Sequence, residues 1–297
     1  MIKNLRFYRV HSDWPEDEAS CSAQLENAAF RPCSAFSERS MGFEPPVDNA
    51  GDLFCRYLAG ADLLQLRLQS RVLPLAAVKE ALIERVTLFV NRTGRDPSRK
   101  EKRDLKEEIY GELLPKALLK SDRISAFYLR TDKILAIATP SATNAERLLD
   151  TLRAALGSLQ VVPLEYKQPA HTLLTKIFLG DGPNEMALGR ECRMKDLSAT
   201  KSTVSWMDID LAEKAVRAHV SSGLTIDRLG VQFDGMLRFT IDSELVVRKL
   251  RIEGIDELDD LDDEDPLARH DAEFTLLIGL VRRWLDALKK SLGGYGA

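Results

Sequence analysis

The sequence predicts a mixed α/β fold of the α+β kind, divided among several domains and carrying a protruding helical-hairpin arm. Three observations predict it. Segments of alternating and of helical hydrophobic period follow one another in irregular order, the pattern of α+β rather than of a doubly wound sheet. A length of 297 residues usually splits into more than one core. Residues 75–121 read as two long helices joined by a basic turn. No internal repeat is visible.

Residues 2–10 form a first strand around Leu5, Phe7 and Val10, and Trp14-Pro15-Glu16 opens a helix ending near Phe30. Phe30-Arg31-Pro32-Cys33 and Met41-Gly42-Phe43-Glu44-Pro45-Pro46 read as turns set by proline and glycine. Strands at 53–58 and 62–72 follow. The second places Leu64, Leu66 and Leu68 on one face and Gln65, Arg67 and Gln69 on the other, a half-exposed sheet with a polar face open to binding.

Leu75 follows Pro74, and Leu75, Val78, Leu82, Val86 and Phe89 recur at helical spacing, which marks a buried face on a helix over 75–91. After a turn at 91–97, Ser98 and Glu101 form a capping box for a second helix, which Pro115 ends or kinks. At 3.6 residues per turn, Arg99, Lys102, Arg103 and Lys106 share one side. Glu101, Asp104, Glu108 and Glu112 fall largely on the other, and Leu105, Ile109 and Leu113 form the seam toward the first helix. Between Arg92 and Lys106 there are seven basic and three acidic residues, a local net of +4. Two readings fit these charges: a solvated helix laced with ion pairs, or an arm that offers a cationic face to a polyanion.

A hairpin is expected over 124–130 and 133–139, a helix over 141–156 closed by Gly157, and a short strand or connector at 161–164. Beyond it come a helix at 171–179, short strands flanking Cys192 to Lys195, and a helix beginning at Asp208 or Asp210 and ending near Gly223. A meander over 224–251, an acidic loop at 256–265 and a final helix at 271–288 complete the chain. Residues 1–74 together with 122–165 are expected as a central α/β domain and 75–121 as the helical arm. Residues 166–297 are expected as a second α/β domain with the acidic loop and C-terminal helix.

The formal net charge of −4 is unevenly spread. The stretch 253–273 holds eleven acidic residues and one basic, a net of −10, so the rest of the chain must carry +6 to give the total. Cys21, Cys33, Cys55 and Cys192 have neither zinc spacing nor the density of a disulfide framework, and reduced, buried thiols are expected. Residues 1–10 lack a signal peptide's apolar centre, and no uncharged run approaches the roughly 18 residues that a bilayer span needs. A soluble cytoplasmic protein with no membrane partner is expected.

Most enzymatic signatures are missing. There is no GxxxxGK[ST], GxGxxG or GxSxG, and His11, His171, His219 and His270 stand apart from metal-binding or triad spacings. The run at 256–265 has Leu261 where an EF-hand loop needs glycine, which favours a solvated, self-repelling loop. Asp150 with Glu165 and Lys167 resembles the D…ExK pattern of metal-dependent nucleases. That pattern is short, however, and Asp150 falls inside a helix. No aromatic RNA-binding strand signature, zinc finger or basic zipper is present, so a cationic surface directed at phosphates is what remains.

Several stretches carry a more specific likeness. Lys3-Asn4-Leu5-Arg6-Phe7-Tyr8-Arg9, Phe30-Arg31-Pro32-Cys33 and Met41-Gly42-Phe43-Glu44-Pro45-Pro46 resemble the opening of the RdgC family of bacterial recombination-associated proteins. So do Leu113-Leu114-Pro115-Lys116-Ala117, Leu156-Gly157-Ser158-Leu159, Val161-Val162-Pro163-Leu164, Cys192-Arg193-Met194-Lys195-Asp196 and Phe274-Thr275-Leu276-Leu277-Ile278-Gly279-Leu280, in the same order. The resemblance implies an elongated protomer whose homodimer closes into a ring around double-stranded DNA, with little sequence preference. It also implies a non-enzymatic role, restraining RecA-driven recombination by occupying DNA, with nucleoid association and no cofactor or metal. Relatives often carry an aromatic at the position of Leu118 and a basic or amide side chain near Met207-Asp208-Ile209.

The expected DNA contacts are Arg99, Lys102, Arg103 and Lys106, then Arg92, Arg95, Lys100, Lys116 and Lys120. Leu118 and Leu119 are expected at the dimer contact. Two other classes stay open: a metal-dependent nuclease using Asp150, Glu165 and Lys167, and a protein-binding regulator acting through the acidic loop.

Overall fold

The computed structural model describes residues 2–47, 51–196, 202–254 and 265–296. The acidic loop expected at 256–265 therefore lies outside the described residues, apart from Asp265. Among those described there are seven helices and two antiparallel sheets. By contacts the chain forms two compact units. One comprises Met1–Asn27, Pro45–Gln65 and Ser125–Ala297; the other comprises Ala28–Glu44 and Leu66–Ile124.

The first sheet contains β1 (Arg6–Val10), β2 (Arg39–Glu44), β3 (Cys55–Leu58), β4 (Ala61–Val72), β5 (Leu118–Leu129), β6 (Ile134–Ile137) and β7 (Val161–Pro163). Its order is β2-β4-β5-β6-β1-β7, with β3 also paired to β4, and both β4 and β5 are divided between the units. The second sheet, wholly in the larger unit, has the order β12-β11-β10-β8-β9. These strands are β8 (Met186–Lys195), β9 (Thr203–Met207), β10 (Thr225–Phe233), β11 (Leu237–Asp242) and β12 (Val247–Ile252).

The main core lies in the larger unit and is organised by a long C-terminal helix, residues Pro266–Ser291. Pro266 at its first turn loses no intrahelical hydrogen bond, and Asp265 caps the Leu267 N–H at 3.1 Å. Its buried Trp284 meets Phe7 of β1 at 5.6 Å between ring centroids and Phe239 of β11 at 5.1 Å, so one side chain joins the two sheets. Phe274 meets Phe127 of β5 edge-on at 5.9 Å. Such ring pairs add about 0.5–1.5 kcal/mol beyond area burial.

The remaining helices are α1 (Glu18–Glu26), α2 (Leu75–Thr93), α3 (Arg99–Leu113), α4 (Ala142–Leu156), α5 (Ala170–Leu179) and α6 (Lys214–Ser221), which makes the C-terminal helix α7. Ser141 caps α4, and Gly157 follows its last residue with φ 77°. The final helix is longer at both ends than the expected 271–288.

Several expectations are corrected. The turn-like stretch at Met41 to Glu44 is strand β2. Gly42 belongs there because a Cβ would lie 2.5 Å from the Phe30 backbone, a close approach that only glycine allows. The first helix starts at Glu18, because Asp17 accepts the Ser20 N–H at 2.7 Å and Ser20 returns the bond. The polar face of β4 is not open along its length: Gln69 is buried and accepts the Cys33 N–H at 2.8 Å. Residues 118–121 belong to strand β5, not to the helical stretch. A single ten-residue strand, β8, replaces the short strands around Cys192. Neither Asp208 nor Asp210 starts α6. Asp208 has φ 56°, and Asp210 closes a turn by accepting the Ala212 N–H at 2.9 Å.

Candidate nucleic-acid interface

The helices α2 and α3 form where their end signals place them. Ser98 accepts the Glu101 N–H at 3.3 Å, and the Glu101 carboxylate accepts the Ser98 N–H at 2.8 Å, which closes the capping box. Gly94, with φ 69°, ends α2 by donating its N–H to Val90 O at 2.8 Å. Val78 and Ile109 are the buried members of the facing surfaces. Arg85 of α2 and Glu112 of α3 pair at 2.8 and 3.1 Å. The face expected to be buried on α2 is only partly covered: Leu82, Val86 and Phe89 are half-buried and Leu75 is exposed. The helical period is present, but α3 covers this face only in places.

All nine cations expected to contact DNA, Arg92, Arg95, Arg99, Lys100, Lys102, Arg103, Lys106, Lys116 and Lys120, are exposed and belong to one unit. They differ in how free their charge is. Arg95 is locked to Glu101 by two bonds of 2.7 and 3.0 Å and lies 5.4 Å over the Phe89 ring. The Arg95 guanidinium, then the Ser98 donors, pull the Glu101 carboxyl down to about 2. Lys120 meets Asp122 at 3.1 Å, and Arg103 has only long contacts to Asp104 and Glu107, at 3.9 and 3.8 Å. Arg92, Arg99, Lys100, Lys102, Lys106 and Lys116 have no acidic side-chain partner among the described residues, so their field reaches solvent.

Arg71 was missed by sequence reasoning. From β4 its Nη1 donates to the carbonyls of Leu114, Pro115 and Ala117 at 3.2, 3.1 and 3.3 Å, and Nε and Nη2 donate to Ser34 O at 3.3 and 3.1 Å. It thus adds donors at the end of α3 and at the 3₁₀ turn Leu114–Lys116, where the Ala117 N–H reaches Leu114 O at 3.1 Å. No signal in the sequence marks a strand arginine for this task.

The same unit carries large apolar side chains turned to solvent. Leu118 is 80% exposed, and Phe36, Leu75, Ile83, Leu88, Leu119 and Val72 are also exposed.

Other candidate chemistries find less support. Asp150 lies on α4 and pairs with Arg153 at 2.7 Å. Glu165 and Lys167 follow β7, where the Lys167 N–H donates to Gly294 O at 3.0 Å and the Glu165 carbonyl accepts the Gly296 N–H at 2.8 Å. Among the described residues there is no group of three or more His, Cys, Asp or Glu able to hold a metal ion. All four cysteines are free and buried. Burial pushes the Cys192 thiol up to about 12, and the Cys55 thiol is raised by its hydrogen bond with Cys21 and then by burial. No described helix is long and apolar enough to cross a membrane.

A mixed α/β chain bearing an exposed row of cations on a helix pair is a candidate polyanion-binding protein. The comparisons place it more closely. The chain belongs to the RdgC family, whose profile, described as "Putative exonuclease, RdgC", matches residues 1–295. It is similar to the recombination-associated protein RdgC of Shewanella piezotolerans, with 31% identity over 99% of this chain and 98% of that one. The proteins of the same name from Shewanella halifaxensis and Shewanella loihica are 30% and 32% identical, each over 99% of this chain and 98% of the relative.

Proposed function

We propose that this chain binds double-stranded DNA through its phosphates, with little sequence preference, and acts without catalysis. In this reading two protomers pair through the exposed apolar surface around Leu118 and Leu119 and close a ring around the duplex. The helix pair α2 and α3 is the arm that lines it. Occupying DNA in this way restrains RecA-dependent recombination and keeps the protein with the nucleoid.

The observation that carries the reading is the row of exposed cations from Arg92 to Lys106, mounted on a capped helix pair and largely without acidic partners. Phosphate contacts of this kind give affinity without base readout. About six of them make log affinity fall with log salt at a slope of about −5. Reversing Arg99 and Arg103 to glutamate is expected to weaken binding to all duplex sequences alike and to reduce that slope by about 2. A double variant with wild-type affinity and slope would overturn the assignment.

The family's description as an exonuclease favours a second reading, a nuclease. Incubating plasmid with Mg²⁺ or Mn²⁺ separates the two. Cleavage that disappears in Lys167→Ala would support the enzyme built on Asp150, Glu165 and Lys167.

A further inference from the structure

The solvent-side face of the five-stranded sheet, in the larger unit, holds more positive charge than its own acids can match. The stretch Cys192-Arg193-Met194-Lys195 alternates across β8, so that Cys192 and Met194 are buried in the core while Arg193 and Lys195 are only half-buried. Both of those cations pair with Asp227 of β10. Arg248 of β12 pairs with Asp242 of β11, whose carboxylate also accepts the N–H groups of Glu244 and Val246 at 3.0 and 2.9 Å. Both carboxylates are thereby engaged.

Arg228 is left over. It stands opposite Arg193 across one strand pairing and opposite Asp242 across the other, yet it forms no hydrogen bond or ion pair among the described residues. Its Nε is buried without a partner. Like charges directly opposed across strands are destabilising. Burial, then the fields of Arg248 and Arg193, lower the Arg228 pKa. Four cations therefore share two carboxylates, and the one at the centre has none.

Beside this cluster the face is hollow. Gly189 and Gly230 meet where a Cβ on Gly189 would lie 2.8 Å from the Gly230 backbone. The register shifts between Ile226 and Arg228 and between Leu229 and Val231 bend the strands there. The cleft, about 520 Å³, is walled by Arg190, Arg238, Lys249 and Arg251 and by Glu191 and Asp208. Lys249 pairs with Glu191, Arg190 with Asp208 and Arg238 with Glu253, which leaves Arg251 without a partner among the described residues.

We infer that this face of the second sheet is a phosphate-binding site centred on Arg228 and flanked by Arg193 and Arg248. A phosphate monoanion, dianion or phosphodiester supplies the acceptor oxygens and the negative charge that the cluster lacks, and guanidinium groups match its geometry. The inference does not depend on the helix pair binding DNA.

The test compares the intact protein with Arg228→Gln, which loses no ion pair seen in the fold. Thermal unfolding is followed in potassium phosphate and in potassium chloride of equal ionic strength. Phosphate's general stabilising action is common to both proteins, so the site is read in the difference between them. At about ten times the dissociation constant, phosphate is expected to raise the wild-type Tm about 3–5 °C more than that of Arg228→Gln. Equal phosphate responses would overturn the proposal.

A labelled duplex then identifies the source of the phosphate. A salt slope reduced by about 1 in Arg228→Gln assigns the site to a nucleic-acid backbone, whereas unchanged DNA binding beside a lost phosphate response assigns it to a free phosphate. The Arg99→Glu, Arg103→Glu protein is expected to keep the full phosphate response. Failure of the helix-pair reading and failure of this one are therefore distinguishable.

Discussion

Arg95 and Glu101 are joined by two parallel hydrogen bonds, of 2.7 and 3.0 Å, where the chain turns from α2 into α3. The same carboxylate closes the capping box at Ser98, so one side chain fixes both the turn and the helix start. Its folded pKa is about 2 against an ordinary 4.5, a depressed value. The contribution is therefore complete above the ordinary value and is lost as pH falls toward 2. A carboxyl titration by NMR is expected to place the Glu101 midpoint near 2 and to return it toward the usual range in Arg95→Ala. A wild-type midpoint near 4.5 would contradict the geometry.

Arg71→Met removes the side-chain donors from the carbonyls of Ser34, Leu114, Pro115 and Ala117; Ser34 O and Leu114 O keep the N–H groups of Ser37 and Ala117. A loss of about 2–3 kcal/mol in urea unfolding is expected, since hydrogen bonds from a charged donor are the stronger kind. Amide exchange over 114–121 is expected to quicken. Unaltered exchange there would show that the contacts carry no energy.

Gly42→Ala places a Cβ 2.5 Å from backbone atoms of Phe30, which cannot move as a side-chain tip can. Overpacking of this kind costs about 1–3 kcal/mol. Alanine is the smallest side chain available, so a variant as stable as the parent would mean that the two segments are not this close.

Leu118→Glu adds charge to a side chain that is 80% exposed, so the protomer's fold is expected to be unchanged. In the proposed dimer the same carboxylate is buried without a partner, at a cost of several kcal/mol. Sedimentation is expected to show the parent as a dimer and the variant as a monomer. A monomeric parent would remove the ring.

With all four thiols buried, and those of Cys55 and Cys192 held neutral by their surroundings, a disulfide exchange reagent at pH 8 is expected to find them unreactive. Full reaction is expected on denaturation. Fast labelling of the native protein would place at least one thiol at the surface.

Local devices were legible in the sequence, and cross-strand ones were not. Ser98 with Glu101, and Gly157, mark helix ends through features that span only a few residues, so spacing alone revealed them. Strand β2 was hidden because the reason for Gly42 is Phe30, which returns beside it only after the chain folds. Asp208 and Asp210 resembled helix caps because the same short acceptor serves caps and turns. The cations of α3 could be counted from the sequence, but the pairing of Arg95 with Glu101 could not be told from that of any other basic neighbour. The contacts of Arg71 and the position of Arg228 opposite Arg193 arise from strand register and gave no signal.

Strands β4 and β5 pass between the two units, so the one that bears α2 and α3 is assembled from two separate lengths of chain. A recombinant fragment spanning 66–124 would omit β2 and leave one side of β4 with bare amide and carbonyl groups, inviting self-association. Grafting the helix pair onto another scaffold, or trimming it away, therefore has to be done at the ends of the helices and not at the borders of the unit.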